Sequence, residues 1–150
     1  MKEMPTINPL STVPQDLRHE IEQAYGSVPS FALAMPPAGL RLWWTSVRDF
    51  QLSEKTSLPR KTKELIGLGL AAQIPCEYSV LLHTEGARVA GATEQEIQEA
   101  VFMASLTRQS SGLLNGAQVE TTTFEKELAD IASHMKVQAA KNPVPAVVRR

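Results

Sequence analysis

Three side chains capable of chemistry fall within one short stretch: the thiol of Cys76, the hydroxyl of Ser79 and the imidazole of His83. An α-helix turns by about 100° per residue, so these positions lie within an arc of roughly 60° on one helix face. Cys76 is expected in the first turn, where unpaired backbone N–H groups and the helix dipole lower a thiol pKa. His83 is then placed to supply or relay a proton.

A carboxylate stands upstream of this group, at Glu64. If the two helices pack as a hairpin, Glu64 can reach the imidazole of His83 and orient it. Each residue also has a structural interpretation: Cys76 as a small buried apolar side chain, His83 as a core histidine bonded to a carbonyl, and Glu64 as a solvated helix charge. Ser79 as a nucleophile activated by His83 is a third interpretation, but no oxyanion-hole motif accompanies it.

Two helices must position this group, and the sequence predicts them over residues 58–74 and 76–90. Ser57 is expected to cap the first, with Pro59 in its tolerated first turn. Pro75 prevents the first helix from continuing into the second. The candidate site therefore lies at the N-terminal end of the second helix, bounded by Glu64.

Apolar periodicity predicts helices elsewhere too, and no stretch alternates like a β-strand. We predict an all-α helical bundle of about six to seven helices. The prolines of residues 1–14 indicate an extended N-terminal arm, residues 15–141 a single helical domain, and residues 142–150 a loose C-terminal tail. The further helices are predicted over residues 15–25, 30–35 and 39–52, after the capping box of Thr93 and Glu96, and over residues 112–120 and 123–141.

Composition excludes several classes of protein. The 150 residues carry a formal net charge of −1, which argues against a nucleic-acid binder. The single cysteine excludes an intramolecular disulfide and a zinc ribbon. No signal peptide is visible, and the longest apolar region, residues 65–82, is too interrupted to span a bilayer. We therefore expect a soluble, cytoplasmic protein that binds neither membrane nor nucleic acid.

The spacing of these residues resembles the alkylhydroperoxidase D-like, or carboxymuconolactone decarboxylase, family. The resemblance covers roughly residues 25–120, and its most specific part runs from Glu64 to Val101 because several fixed spacings agree there. The residues that carry it are Tyr25-Gly26-x-Val28-Pro29, Lys63-Glu64-Leu65-Ile66, Ala71-Ala72, Cys76-x-Tyr78-Ser79-x-x-x-His83, and Ala90-Gly91-Ala92-Thr93-x-x-Glu96-Ile97-x-Glu99-Ala100-Val101.

The resemblance implies a redox site in which two cysteines reduce hydroperoxides or disulfides while a glutamate and a histidine relay protons. Glu64, Cys76 and His83 match that pattern, whereas Ser79 stands where the second, attacking cysteine belongs. A two-cysteine cycle within one chain is therefore impossible. Tyr78 is expected to line the pocket.

Three functions remain open at this stage. The first is a thiol peroxidase or disulfide reductase with a one-cysteine mechanism through Cys76, reduced by an external thiol partner. The second is a non-redox scaffold or small-molecule-binding member, and the third is a carboxymuconolactone-type decarboxylase. The resemblance also implies a homo-oligomer, a trimer or hexamer. No phosphate-binding glycine loop or ligand cluster appears, so we expect no metal and no organic cofactor.

Overall fold

The computed structural model describes residues 7–142, and within that range its regular structure is helical, without β-strands. The predicted all-α fold with six to seven helices is confirmed. The α-helices are α1 Gln15–Tyr25, α2 Ser30–Leu33, α3 Pro37–Ser46, α4 Arg60–Gln73, α5 Glu77–Val89, α6 Glu94–Gly116 and α7 Thr121–Lys141.

The chain divides into two compact units, Met1–Met103 and Ala104–Arg150. Every buried apolar residue in the described part of the chain belongs to the first unit, which also contains α4 and α5. In the second unit, α7 has no buried residue. The single helical domain expected over residues 15–141 stays a prediction.

The first helices build one apolar core of the first unit. Leu17 and Ile21, one turn apart on α1, are buried together with Trp44 of α3. The Trp44 ring meets Tyr25 edge-on at 5.6 Å, and its indole N–H donates to Glu20 at 2.8 Å. A buried indole needs such an acceptor, because its N–H has lost water. This core fixes the end of α3, from which the chain enters the candidate site.

The pair formed by α4 and α5 provides the second core of the first unit. Pro59 immediately precedes α4 and lies at its N-cap, and Pro75 stands in the short connection to α5. Leu68 of α4 and Ala87 of α5 are buried together with Ile97 of α6. The two helices that carry the chemically active side chains are thus packed against each other, as the site requires.

Two helix predictions are wrong. The separate helix over residues 112–120 does not exist, because α6 continues through Gly112 to Gly116. A glycine inside a helix costs about 1 kcal/mol relative to alanine without ending the helix. The helix predicted over residues 39–52 is divided: α3 ends at Ser46 and a π-turn, Val47–Gln51, follows it.

The starts of α4 and α5 also differ from the predictions. Ser57 does not cap α4, since Pro59 occupies the N-cap, and Cys76 is the N-cap of α5 rather than a first-turn residue. The described part of the predicted N-terminal arm is not uniformly extended: Leu10–Thr12 forms a 3-10 turn, and Val13 is buried in the first core. The rest of the predicted arm, residues 1–6, and residues 143–150 of the predicted tail lie outside the described residues.

Candidate functional site

A buried carboxylate and a partly buried imidazole form a pair between α4 and α5. His83 Nδ1 is 2.8 Å from Glu64 Oε2, and the two side chains are 21% and 1% exposed. An ionised carboxylate can only accept, so Nδ1 carries the hydrogen that Glu64 receives. In the neutral imidazole this leaves Nε2 as the acceptor nitrogen. The pair can therefore hold a proton on the ring and exchange one at Nε2.

Two glycines make room for this pair. A Cβ at Gly67 on α4 would lie 2.5 Å from His83 Cε1, and a Cβ at Gly86 on α5 would lie 2.8 Å from Glu64 Oε2. The His83 ring thus occupies the space left at Gly67, and the Glu64 carboxylate occupies the space left at Gly86. The sequence analysis did not assign these glycines to the site, although a glycine inside a helix often marks a close approach.

Three more residues from the first unit surround Glu64. Gln51 Nε2 lies 3.2 Å from Oε1 and 3.3 Å from Oε2. Arg60 Nε is 3.9 Å from Oε1, and this buried nitrogen has no hydrogen-bond partner among the described residues. Burial, and to a smaller extent the charge of Glu64, raise the pKa of the Tyr25 hydroxyl. The carboxylate therefore has an amide, a guanidinium and a phenol in its surroundings.

A second pair, Cys76 and Ser79, lies at the start of α5. The Ser79 hydroxyl donates to Cys76 Sγ at 3.2 Å, and the thiol side chain is partly exposed. The pKa of the Cys76 thiol is lowered, chiefly by the Ser79 hydroxyl and then by the backbone N–H groups of Ser79 and Tyr78, which face the sulfur without closing a capping hydrogen bond. Hydrogen bonds that stabilise the thiolate raise its fraction at neutral pH.

The structure places the four predicted site residues in two pairs. Among residues 7–142, no hydrogen bond joins His83 to Cys76 or Ser79. Tyr78 is 85% exposed, so it flanks the thiol without enclosing a pocket. Cys76 and Ser79 are partly exposed, whereas in the other pair Glu64 is buried and only His83 is partly exposed.

Over residues 7–142, no three histidine, cysteine or acidic side chains gather as a metal site would require. In the same range no helix is both long and apolar enough to cross a membrane.

The all-helical fold of this chain is that of the alkylhydroperoxidase-like class of proteins. The crystal structure of the alkylhydroperoxidase AhpD core from Rhodospirillum rubrum is similar, with a TM-score of 0.69 and 26% identity, covering 80% of this chain and 94% of that one. The chain belongs to the carboxymuconolactone decarboxylase family, whose sequence pattern matches residues 39–119. The family resemblance seen in the sequence is thus confirmed.

A curated relative is "Uncharacterized protein 4 in cox locus" of Paracoccus denitrificans. It is 36% identical over 52 residues, which is 35% of this chain and 47% of that protein. The match spans about half the length of this relative.

Sequence reasoning missed Gln51, Arg60 and Lys63. Gln51 stands in a different element from Glu64, and no local pattern joins them. Lys63 was quoted only among the residues that carry the family resemblance, yet it is 8% exposed and its ammonium is hydrogen-bonded.

Proposed function

We propose that this protein is a thiol-dependent peroxidase, or disulfide reductase, that works through the single cysteine Cys76. The observation that carries the proposal is the hydrogen bond from the Ser79 hydroxyl to Cys76 Sγ at the N-cap of α5. It favours the thiolate, which is the nucleophilic form. The similarity to the AhpD core supports the choice of a hydroperoxide as substrate.

The proposed cycle consumes one peroxide and two thiols. The Cys76 thiolate attacks the hydroxyl oxygen of a hydroperoxide, an S–O bond forms as the O–O bond breaks, and the sulfur is oxidised by two electrons to a sulfenic acid. The departing alkoxide takes a proton that the Glu64–His83 pair supplies through water. An external thiol then forms a mixed disulfide and releases water. A second external thiol restores Cys76 and leaves as a disulfide.

Ser79 has a limited part in this cycle. Its hydroxyl stabilises the thiolate, but it cannot act as the attacking thiol or resolve the sulfenic acid. The reductant must therefore come from outside the chain. Abundant thiol reductants are a property of the cytoplasm, which is the compartment we propose.

The proposal is tested by trapping the sulfenic acid. The protein is treated with an organic hydroperoxide and a cyclic 1,3-diketone that adds to sulfenic acids, and is then analysed by mass spectrometry. We expect a peroxide-dependent adduct that is absent from the Cys76→Ala variant. Because the chain has five methionines, simple gain of oxygen is not used as the readout. A thiol that stays free of adduct at excess peroxide contradicts the proposal.

Restoring the second cysteine tests the rest of the machinery. The Ser79→Cys variant should turn over peroxide with a dithiol reductant, since the intermediate can then be resolved within the chain. The additional substitution Glu64→Gln should slow this turnover. If Ser79→Cys has two reactive thiols and still fails to turn over, the proposed proton relay is wrong.

A non-redox binding member of the family is the second candidate. It is favoured by the presence of one cysteine in the whole chain and by the lack of a hydrogen bond between His83 and the thiol among the described residues. An unreactive Cys76 together with an inert Ser79→Cys variant would support it. Consumption of a carboxymuconolactone-type acid by the unmodified protein would instead support the decarboxylase that the family description names.

We also propose a homo-oligomer, a trimer or hexamer, as the resemblance implies. Apolar side chains are exposed at helical spacing along two helices: Ile66 and Leu70 on α4 with Ile74 at its C-cap, and Leu128, Ile131 and Met135 on α7. Exposed apolar patches of this kind mark protein interfaces. Size-exclusion chromatography with light scattering should give three or six times the chain mass, and Ile131→Glu should reduce it. A monomer at high concentration would contradict the proposal.

A further inference from the structure

We infer that Gln51 is a positioning residue that keeps the Glu64 carboxylate on His83 and away from Arg60. The inference rests on the proposed function only in taking the Glu64–His83 pair as the proton carrier. It concerns three donors that compete for one buried carboxylate: an imidazole, an amide and a guanidinium.

The contacts of Glu64 show the competition. Oε2 receives the His83 Nδ1 hydrogen at 2.8 Å, and the Gln51 amide sits across both oxygens at 3.2 and 3.3 Å. Arg60 Nε stands farther away, at 3.9 Å from Oε1. A guanidinium normally binds a carboxylate through two parallel hydrogen bonds, which is a stronger arrangement than the one observed here. The Gln51 amide, which lies within hydrogen-bond distance of both oxygens, is the group in position to hold the carboxylate on His83.

Gln51 is brought to Glu64 by an unusual piece of backbone. It closes the π-turn Val47–Gln51, whose wide geometry is shown by the hydrogen bond from Leu52 N–H to the Val47 carbonyl at 2.8 Å. Such turns are rare and concentrate at functional sites. Within the first unit, the turn ends α3 and delivers an amide to a carboxylate on α4.

Lys63 fixes the segment that carries Gln51. Its ammonium donates to the Phe50 carbonyl, to the Ser53 carbonyl at 2.6 Å and to Thr56 Oγ1 at 2.7 Å. All three donors of this buried cation are used, which its burial requires. Lys63 and Glu64, which are neighbours on α4, thus both bind the segment that contains Gln51. Lys63 donates hydrogen bonds to groups on either side of Gln51, and Glu64 accepts from the Gln51 amide.

An amide suits this place better than a charged group. Gln51 is neutral and its amide lies within hydrogen-bond distance of both oxygens, so it can hold the carboxylate without adding a charge beside His83. When the amide is removed, Arg60 is the remaining donor close to Oε1. The carboxylate should then rotate towards the guanidinium and lengthen its hydrogen bond to His83.

The test observes the His83 Nδ1 hydrogen directly by NMR of histidine-labelled protein. His19 and His134 are exposed and serve as internal references. In the unmodified protein the Nδ1 resonance should be strongly deshielded and slow to exchange with water. In Gln51→Leu, exchange should become about tenfold faster, the factor expected for the loss of one hydrogen bond to a charged group. Gln51→Ala provides a second variant should the leucine disturb folding.

Two further variants separate positioning from general packing. Gln95→Leu removes an amide-to-carboxylate hydrogen bond on the exposed face of α6 and should leave the His83 resonance unchanged. The double variant Gln51→Leu/Arg60→Leu removes the competitor and should restore slow exchange. If Gln51 had only a packing role, the second substitution would make the His83 Nδ1 hydrogen exchange faster still.

The inference is overturned by an unchanged His83 resonance in a folded Gln51 variant, or by a lost resonance that Arg60→Leu does not restore. These outcomes are independent of peroxide chemistry. A chain that reacts with no peroxide would refute the proposed function and leave the NMR result standing. An unchanged resonance in a chain that does react would refute only the role of Gln51.

Discussion

The candidate site consists of two hydrogen-bonded pairs that differ in burial, because Glu64 is 1% exposed whereas His83, Cys76 and Ser79 are each partly exposed. Glu64 and His83 are enclosed between α4 and α5, where both the shape of the backbone and the surrounding donors restrict them. Cys76 and Ser79 lie partly open to solvent at the start of α5 and hold each other by one hydrogen bond. The enclosed pair is suited to keeping a proton in a fixed place, and the open pair to meeting a substrate.

This difference predicts which substitutions change the stability of the fold and which change the reactivity of the thiol. A buried charge that loses its partner destabilises the fold, because water cannot replace the partner. A partly exposed thiol that loses a hydrogen bond can bond water instead, so the stability of the fold changes little. The fraction of the thiol that is ionised falls. Substitutions in the two pairs should therefore change different measurements.

The largest effect is expected for His83→Leu. It leaves the Glu64 carboxylate buried without its closest partner and should lower the free energy of unfolding by about 3 kcal/mol. Arg18→Ala is the matched control, because it breaks the exposed ion pair between Arg18 and Glu22, which lie one turn apart on α1. This substitution should cost at most about 0.5 kcal/mol. Urea unfolding measures both. Equal losses in the two variants would show that the Glu64–His83 pair is not energetically enclosed.

Gly86→Ala should have the next largest effect. Its Cβ would lie 2.8 Å from two atoms of the Glu64 carboxylate, a side chain that is 1% exposed and is bonded to His83. We expect a loss of about 2 kcal/mol, typical of overpacking. Gly112→Ala is the control on α6, where nothing lies within 4 Å of the added Cβ. There the same substitution should stabilise the helix by about 0.5–1 kcal/mol. Effects of the same sign would contradict the close approach at Gly86.

Ser79→Ala should change reactivity more than stability. It removes the main group that lowers the pKa of Cys76, so the pKa should rise and the thiolate fraction at neutral pH should fall. The rate of alkylation by iodoacetamide at pH 7 should drop severalfold, because less of the thiol is ionised. Ser46→Ala, whose hydroxyl bonds Leu42 within α3, is the control. Unchanged alkylation in Ser79→Ala would show that the hydroxyl does not act on the sulfur.

The sequence allowed prediction of the helices and of the four side chains because both depend on local spacing. Apolar periodicity and the prolines at 59 and 75 were enough to define α4 and α5 approximately. The error at Gly112 has a physical reason: glycine weakens a helix by an amount that neighbouring residues can offset, so its presence does not mark an end. The π-turn at Val47–Gln51 leaves no periodic signal over so few residues.

The surroundings of the pair could not be predicted from spacing. Gln51 reaches Glu64 from a separate element, and no sequence pattern indicates which residue such a glutamine binds. Arg60 lies one turn before Glu64 on the same helix. The hydrogen bonds also show a grouping of the site residues that their positions on one helix face did not predict. The shared face of Cys76, Ser79 and His83 suggested one cluster, whereas the hydrogen bonds divide these residues between two pairs.

The most direct test of the account is titration of the Cys76 thiolate by its ultraviolet absorbance, combined with the rate of its reaction with a hydroperoxide. The signal belongs wholly to Cys76, because the chain has no other cysteine. The account predicts a pKa below the ordinary thiol value of about 8.5 and a peroxide rate that rises with pH in step with the thiolate fraction. A pKa at or above the ordinary value, with no peroxide reaction at any pH, would contradict it.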